Sequence, residues 1–388
     1  MNKFNSIFGQ ILKIFPRLQF DFFVQQTGAA RHTKGFNCWD QFVAMLFCQF
    51  AQAHSLREIC GGLTTSLGKV VHLGLQKAPS RSTLSYANAH RSWKLYQALF
   101  YYLLELCRRQ MGPQHKFRFK NKLLSFDATV IELCLSAFDW AKFRRAKGAI
   151  KLHLLLDHAG YLPQFVNITT GAVHEVNVLR SLSFAPGTIL AIDRGLVDYE
   201  QWGKWTKKGV YFVTRLKKNA NYQLVQKRAV RKNKNILKDH VVRLAGFYSK
   251  QNCPYELRII EVWDEVKQQP LRFVTNNMKL AAATIANIYK DRWQIEAFFK
   301  TIKQNLRIKT FVGTSANAVM IQIWTALIAI LILKFLNAKS KINWALSNLV
   351  AMLRMNLLTY KNLWLWINQP YFKPQHKHRP VQNQMMLF

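Results

Sequence analysis

IANIYKDRWQIEAFFKTIKQNLRIKTF, residues 285–311, is the stretch on which the reading of this chain turns. It holds neither Pro nor Gly and carries apolar residues at helical spacing, so it is predicted to form one long helix. At about 100° per residue with Arg292 set to zero, Lys303 falls near ~20°, Glu296 near ~40° and Tyr289 near ~60°. Ile288, Ile295, Phe299 and Ile302 fall between about −80° and −20° on the same wheel. An apolar stripe therefore faces a core, and a polar stripe of Tyr, Arg, Glu and Lys runs beside it. On spacing alone, Arg292 and Glu296 are an i,i+4 ion pair worth about 0.3–0.5 kcal/mol. A sharper reading needs support from elsewhere in the chain.

Composition supplies part of it. The 388 residues are enough for two or three domains and a sizeable core. Half are hydrophobic and 13% aromatic, which excludes a disordered basic tail. Lys and Arg number 56 against 19 Asp and Glu, a formal charge of +37 that opposes compaction unless a polyanion binds. Nucleic acid is the obvious polyanion, although a ribosome-like RNA binder or a membrane-surface protein shares this composition. The six cysteines lie no closer than ten residues apart, so no CxxC metal spacing exists, and they suit a reducing compartment. Asn5, Ser6, Gln10 and Lys13 interrupt any signal-peptide core at the N-terminus. The apolar run 318–333 is short for a membrane span and carries Gln322 and Thr325, so a helix buried within the protein is expected.

Residues 1–112 read as a helical, candidate DNA-binding domain. FNCWDQFVAMLFCQFAQA (36–53) is apolar nearly all round, as a core helix should be. SLREICGGL (55–63) starts on a Ser cap and is expected to end at Gly61 and Gly62. SRSTLSYANAHRSWKLY (80–96) restarts the helix with Ser80 or Ser82 as cap. The pair suits a helix-turn-helix-like DNA reader, and an ordinary bundle with a polar face accounts for it equally well. MGPQHKFRFKNK (111–122) reads as a linker.

At 123 the period changes. LLSFDATVIEL (123–133), AIKLHLLLDH (149–158) and LPQFVNITT (162–170) are predicted strands. A helix at 174–182, the apolar strand TILAID (188–193), a helix at 198–208 and the strand VYFVTRL (210–216) follow, which makes a mixed α/β layer. Residues 217–270 form a basic, β-rich segment, with strands near 222–229, 236–245 and 255–263, inserted into a domain spanning 113–345. Tyr222, Phe247, Tyr248, Tyr255 and Trp263 interleave with its charge, as expected where phosphates and bases are both contacted; a solvated charged hairpin is the simpler account. Residues 346–388 read as helical to Trp366, ending in the basic tail FKPQHKHRP (372–380).

Two acids occupy strand positions at one sheet edge. Asp127 interrupts the apolar strand LLSFDATV and must be compensated by a metal, a cation or hydrogen bonds. Asp193 ends TILAID, where α/β folds place ligands. Glu296, on the organising helix, is the third. Three convergent carboxylates are an oxygen cage for Mg²⁺ or Mn²⁺. Two such ions about 3.5–4 Å apart can drive in-line displacement at a phosphate, one of the slowest bonds to break unaided.

These residues together resemble the DDE transposases of bacterial insertion sequences, in particular the insertion-sequence-four family. That family's signature is Tyr, two residues, Arg, three residues, Glu, six residues, Lys, and here it is Tyr289, Arg292, Glu296 and Lys303 with every spacing kept. The family's first acid matches Asp127 in SFDAT, and its second, in a DRG motif followed by DY, matches Asp193 in DRGLVDY. The block 138–163 is also similar. Leu196 departs from the pattern, where members often carry an aromatic. The resemblance covers about 115–340, and the helical region before it resembles that of some members.

The resemblance implies an α/β fold: an RNase H-like mixed sheet flanked by helices, interrupted by a β-rich insertion, with an N-terminal helical domain. It implies a cytoplasmic, nucleoid-associated transposase, not a membrane protein, that cleaves the ends of an insertion sequence and joins 3′-hydroxyls to target DNA. A homodimer in a synaptic complex is implied with it. By position, Asp127, Asp193 and Glu296 would be the catalytic, metal-binding acids, for Mg²⁺ or Mn²⁺ and two ions. Tyr289, Arg292 and Lys303 would grip end phosphates, and Trp263, the only Trp within 217–270, would stack on a flipped base. A catalytically silent DNA-binding protein or regulator derived from a transposase, and an RNA nuclease on the same core, are the alternatives.

Overall fold

The structure, a computed structural model, describes residues 5–31, 33, 35–65, 69–112, 116–134, 138–144, 147–230, 235–306 and 311–371. Its centre is a ten-stranded sheet. The strands are β1 (Leu123–Leu133), β2 (Lys142–Arg144), β3 (Lys147–Asp157), β4 (Leu162–Thr170), β5 (Ile189–Ile192), β6 (Tyr211–Arg215), β7 (Tyr222–Lys227), β8 (Ile236–Leu244), β9 (Leu257–Asp264) and β10 (Gln269–Thr275). β1 is antiparallel to β3 and β3 to β4, while β1, β5 and β6 run parallel. Three antiparallel strands followed by two parallel ones form the RNase H-like arrangement expected.

β10 returns antiparallel to β6, and β9, β8 and β7 follow it edge to edge. The strands of the basic segment therefore lengthen the same sheet rather than stacking a new layer on it. A buried pair ties the segment down: Arg258 donates from Nε and Nη2 to both Asp239 oxygens, at 2.7 and 2.6 Å. Its Nη1 reaches the carbonyls of Asn277 and Leu280, just ahead of the organising helix.

The N-terminal region is helical as predicted: α1 (Ile7–Leu12), α2 (Arg17–Thr27), α3 (Cys38–Ala51), α4 (Leu56–Thr64), α5 (Arg81–His90) and α6 (Lys94–Met111). α3 is buried almost throughout and opens on a capping box between Asn37 and Asp40. Three expectations change here. α4 runs through Gly61 and Gly62 instead of stopping, because a Cβ at Gly62 would come within 2.9 Å of the Phe47 ring; that glycine serves close packing, not termination. The predicted helix 80–96 breaks after His90, where Arg91 turns extended and its guanidinium donates to the carbonyls of Phe36 and Asn37. Residues 65–80 separate α4 from α5, so the short turn of a helix-turn-helix is not formed.

α7 (Glu175–Arg180), α8 (Tyr199–Lys207) and α9 (Phe247–Asn252) connect strands. The organising stretch also departs from expectation, since it is two helices, α10 (Ala282–Asp291) and α11 (Trp293–Asn305). At the break the Arg292 N–H is shared between the carbonyls of Ile288 and Tyr289, and the Ile295 N–H turns back to the Arg292 carbonyl. The apolar run is α12 (Ala316–Lys339), long and apolar enough to cross a membrane, yet 89% of an 18-residue apolar stretch of it is buried inside the protein, against α3, α5 and α6. One apolar cluster joins the N-terminal helices to β1, β3, β4, α11 and α12. α13 (Leu346–Asn356) and α14 (Leu363–Asn368) close the described chain, and the basic tail 372–380 lies outside the described residues.

Candidate active site

β1 is buried from Leu123 to Phe126 and becomes partly exposed at Asp127. Across the parallel pair, Phe126 lies opposite Ile192. The next residue in each case is an acid, Asp127 within β1 opposite Leu154 of β3 and Asp193 just past the end of β5, so the two stand at the same level. Asp127 Oδ1 accepts the Ala128 N–H at 2.8 Å, and Asp193 Oδ2 accepts the Gly195 N–H at 3.0 Å as the cap of a 3₁₀ turn. Glu296 comes from the first turn of α11, immediately after the helix break.

The break aims Arg292 at all three. Its Nη2 donates to Glu296 Oε1 at 2.7 Å and lies 3.6 Å from Asp193 Oδ1; its Nη1 lies 3.9 Å from Asp127 Oδ2. The i,i+4 ion pair of the simple reading is therefore present, and it is a fraction of what this guanidinium does. Arg292 is only 8% exposed along its side chain, and its Nε is buried without a hydrogen-bond partner among the described residues. The Tyr289 hydroxyl lies 3.5 Å from Asp193 Oδ1, and its ring sits 5.4 Å from the guanidinium carbon, within cation–π range. Lys303 donates to the Val130 carbonyl of β1 at 2.9 Å.

Trp263 is not part of this group. It stands near the end of β9, and β10 and β6 lie between that strand and β5, a separation of roughly 14 Å at ordinary strand spacing. It is 36% exposed at the same edge of the sheet as Asp193.

The electrostatics follow from burial. Desolvation pushes the Asp127 carboxyl up to about 6, against the pull of the Ala128 N–H and Arg292, and Glu175 and Glu296 add to the push. Burial also raises the Tyr289 hydroxyl. A carboxylate held this way lacks a full counter-charge.

Its donor chemistry, carboxylate oxygens on three separate elements, fits a hard divalent cation. The spacing is that of a guanidinium: among the described residues no three His, Cys, Asp or Glu side chains stand close enough to hold an ion as they are. Arg292 fills the cation's electrostatic role in this arrangement.

The sequence reading missed the residues behind Arg292. Asp291 Oδ2 accepts from His158 Nδ1 at 2.6 Å, and Oδ1 from Lys116 Nζ at 2.5 Å. The signal was present, because Asp291 falls near about −100° on the wheel, an acid at the rim of the apolar stripe.

Known proteins resemble this chain over most of its length. Residues 118–332 match the family model "Transposase DDE domain", and residues 3–76 match a domain of unknown function. The chain is 27% identical over 318 residues to "Putative transposase y4zB" of Sinorhizobium fredii, covering 80% of this chain and 86% of that one. It is 28% identical to "Probable transposase for insertion sequence element IS5377" of Geobacillus stearothermophilus, over 67% of this chain and 68% of that one. It is 31% identical to "Putative transposase for insertion sequence element IS4SA" of Synechocystis sp., over 38% and 41%.

Proposed function

Because the chain belongs to the transposase DDE domain family, we propose that it binds the ends of an insertion sequence, cleaves them and joins the freed 3′-hydroxyls to target DNA. The observation that carries this reading is the gathering of Asp127, Asp193 and Glu296 within 4 Å of one buried guanidinium. Three carboxylates on separate elements gain nothing in stability from such a meeting, and each adds repulsion that only a cation relieves.

Asp127, Asp193 and Glu296 are the residues that would hold Mg²⁺ or Mn²⁺. Bound there, such ions supply activation of the attacking oxygen and stabilisation of the leaving one. The chain's own part is positioning. β1 and β5 fix the two aspartates at one level, and α11 brings Glu296 against them. A phosphodiester entering beside the acids meets Arg292 and Tyr289, and a guanidinium suits a two-oxygen grip on phosphate. Lys303 adds positive charge next to β1. Trp263 offers an exposed ring for an unstacked base at the same sheet edge. The N-terminal helices and the basic extension of the sheet provide the electrostatic surface for DNA, consistent with the +37 charge. Action as a dimer on paired ends is part of the same reading.

The test is cleavage of duplex DNA carrying the sequences that flank this reading frame. Wild type is expected to nick it in Mg²⁺ and not in EDTA, and Asp127→Asn to bind it without nicking. A shifted band with no nick from the wild-type chain would instead mark a silent DNA-binding protein.

A further inference from the structure

Five side chains from distant parts of the chain meet directly behind Arg292. Ser125 Oγ lies 2.6 Å from His158 Nε2, and His158 Nδ1 lies 2.6 Å from Asp291 Oδ2. Lys116 Nζ reaches Asp291 Oδ1 at 2.5 Å, and the Tyr161 hydroxyl donates to both Asp291 oxygens at 3.3 and 3.2 Å. Since an ionised carboxylate only accepts, His158 Nδ1 carries the hydrogen.

The order Ser, His, Asp is that of a nucleophile relay. Ser125 is fully buried on β1, so no substrate reaches its oxygen, and the group does not act as one. It does join two places that matter. Ser125 stands two residues before Asp127. Asp291 is the last residue of α10, immediately before Arg292.

The break between α10 and α11 needs a cause. The interruption is one residue long, since Arg292 keeps helical backbone angles; interruptions arise at Pro, at Gly or Ser pairs, or where a group displaces the helical ladder. No Pro, Gly or Ser occurs between 285 and 300. What does occur is a buried aspartate at the end of α10 held by three side chains, His158, Lys116 and Tyr161. Asp291 is 3% exposed. Burial alone would raise its carboxyl, but hydrogen bonds from His158 and Lys116 outweigh that and hold it below the ordinary value. The charge persists, and a buried charge is kept only where partners fix it.

We infer that Asp291 is a positioning residue: clamped by His158, Lys116 and Tyr161, it sets the break between α10 and α11 and so aims the Arg292 guanidinium at the three acids. The consequence for cleavage rests on the function proposed above.

The test uses the full chain and duplex end DNA from the flank of the reading frame. In EDTA, Arg292→Gln weakens end binding, and Asp291→Asn, which keeps the shape and removes the charge, reproduces that loss. Placed in the Arg292→Gln background, Asp291→Asn adds less than about twofold, because both changes remove the same interaction. In Mg²⁺ at saturating DNA, Asp291→Asn lowers the cleavage rate roughly 10²-fold with little change in KM, the expected size for a misplaced catalytic group.

Wild-type cleavage by Asp291→Asn, or multiplied losses in the double variant, would overturn the inference. If Asp291→Asn melts too low to assay, His158→Gln, which leaves the Asp291 charge and its Lys116 contact, carries the same cycle. A wild-type chain that binds end DNA but never cuts it would sink the proposed function alone, since the binding cycle in EDTA still decides the role of Asp291.

Discussion

Asp127 lies 3.9 Å from Arg292, near enough to feel the guanidinium's charge and too far to be hydrogen-bonded by it. That distance explains why burial dominates and the carboxyl rises to about 6.

A stability effect follows. At or below pH 3.8, the ordinary value, the carboxyl is largely neutral in folded and unfolded chains alike and costs little. Between there and about 6 the folded chain keeps a proton that the unfolded chain has released, and above about 6 the folded chain bears the full cost of the charge. In EDTA at pH 7.5, Asp127→Asn is therefore expected to stabilise the fold by about 1–3 kcal/mol while abolishing cleavage. The gain should vanish as pH falls through 6 towards 4, read by thermal melting at a series of pH values.

Removing the cation should do the reverse. Arg292→Ala leaves three carboxylates facing one another, all of them partly exposed, and is expected to cost roughly 1–3 kcal/mol in EDTA. Added Mg²⁺ should raise the melting temperature of the variant more than that of wild type. Equal shifts in both would show that the guanidinium and the ion do not substitute for each other.

The pair Arg258–Asp239, 2% and 5% exposed along its side chains, is a different case. Asp239→Ala strands a buried guanidinium and is expected to cost about 3–5 kcal/mol in urea unfolding. Replacing both residues together, Asp239→Leu with Arg258→Met, should recover most of it.

Trp263→Ala should leave folding nearly unchanged. Binding of end DNA with unpaired bases should weaken by about 1–3 kcal/mol, while fully paired duplex binds as before. Equal losses on both DNAs would assign Trp263 to general affinity.

End-DNA affinity should fall roughly 10³–10⁵-fold between 50 and 200 mM salt, the behaviour of a protein neutralising 6–10 phosphates. A flat titration would refute the electrostatic part of the reading.

Much of this molecule was legible in one dimension. The limits of β1 agree with the strand predicted over 123–133, and Ser80 caps its helix, one of the two serines the cap rule offers. These are local matters, settled by period and by side chains that reach only their neighbours. Gly also misleads locally: Gly62 is a packing contact with Phe47, fifteen residues away in the chain and nowhere in GGL itself.

The sequence by itself determined the strand and helix types, an acid within β1 and another just after β5, and the polar stripe of Tyr289, Arg292, Glu296 and Lys303. Only the tertiary structure decided that the stripe's helix is broken, that Arg292 is the shared counter-charge of three acids, and that Asp291 is anchored by residues 116, 158 and 161. The reason is physical. Helical periodicity registers which face of a helix is apolar, but a buried charge is governed by partners brought in across the fold, and those distances are not written in any spacing along the chain.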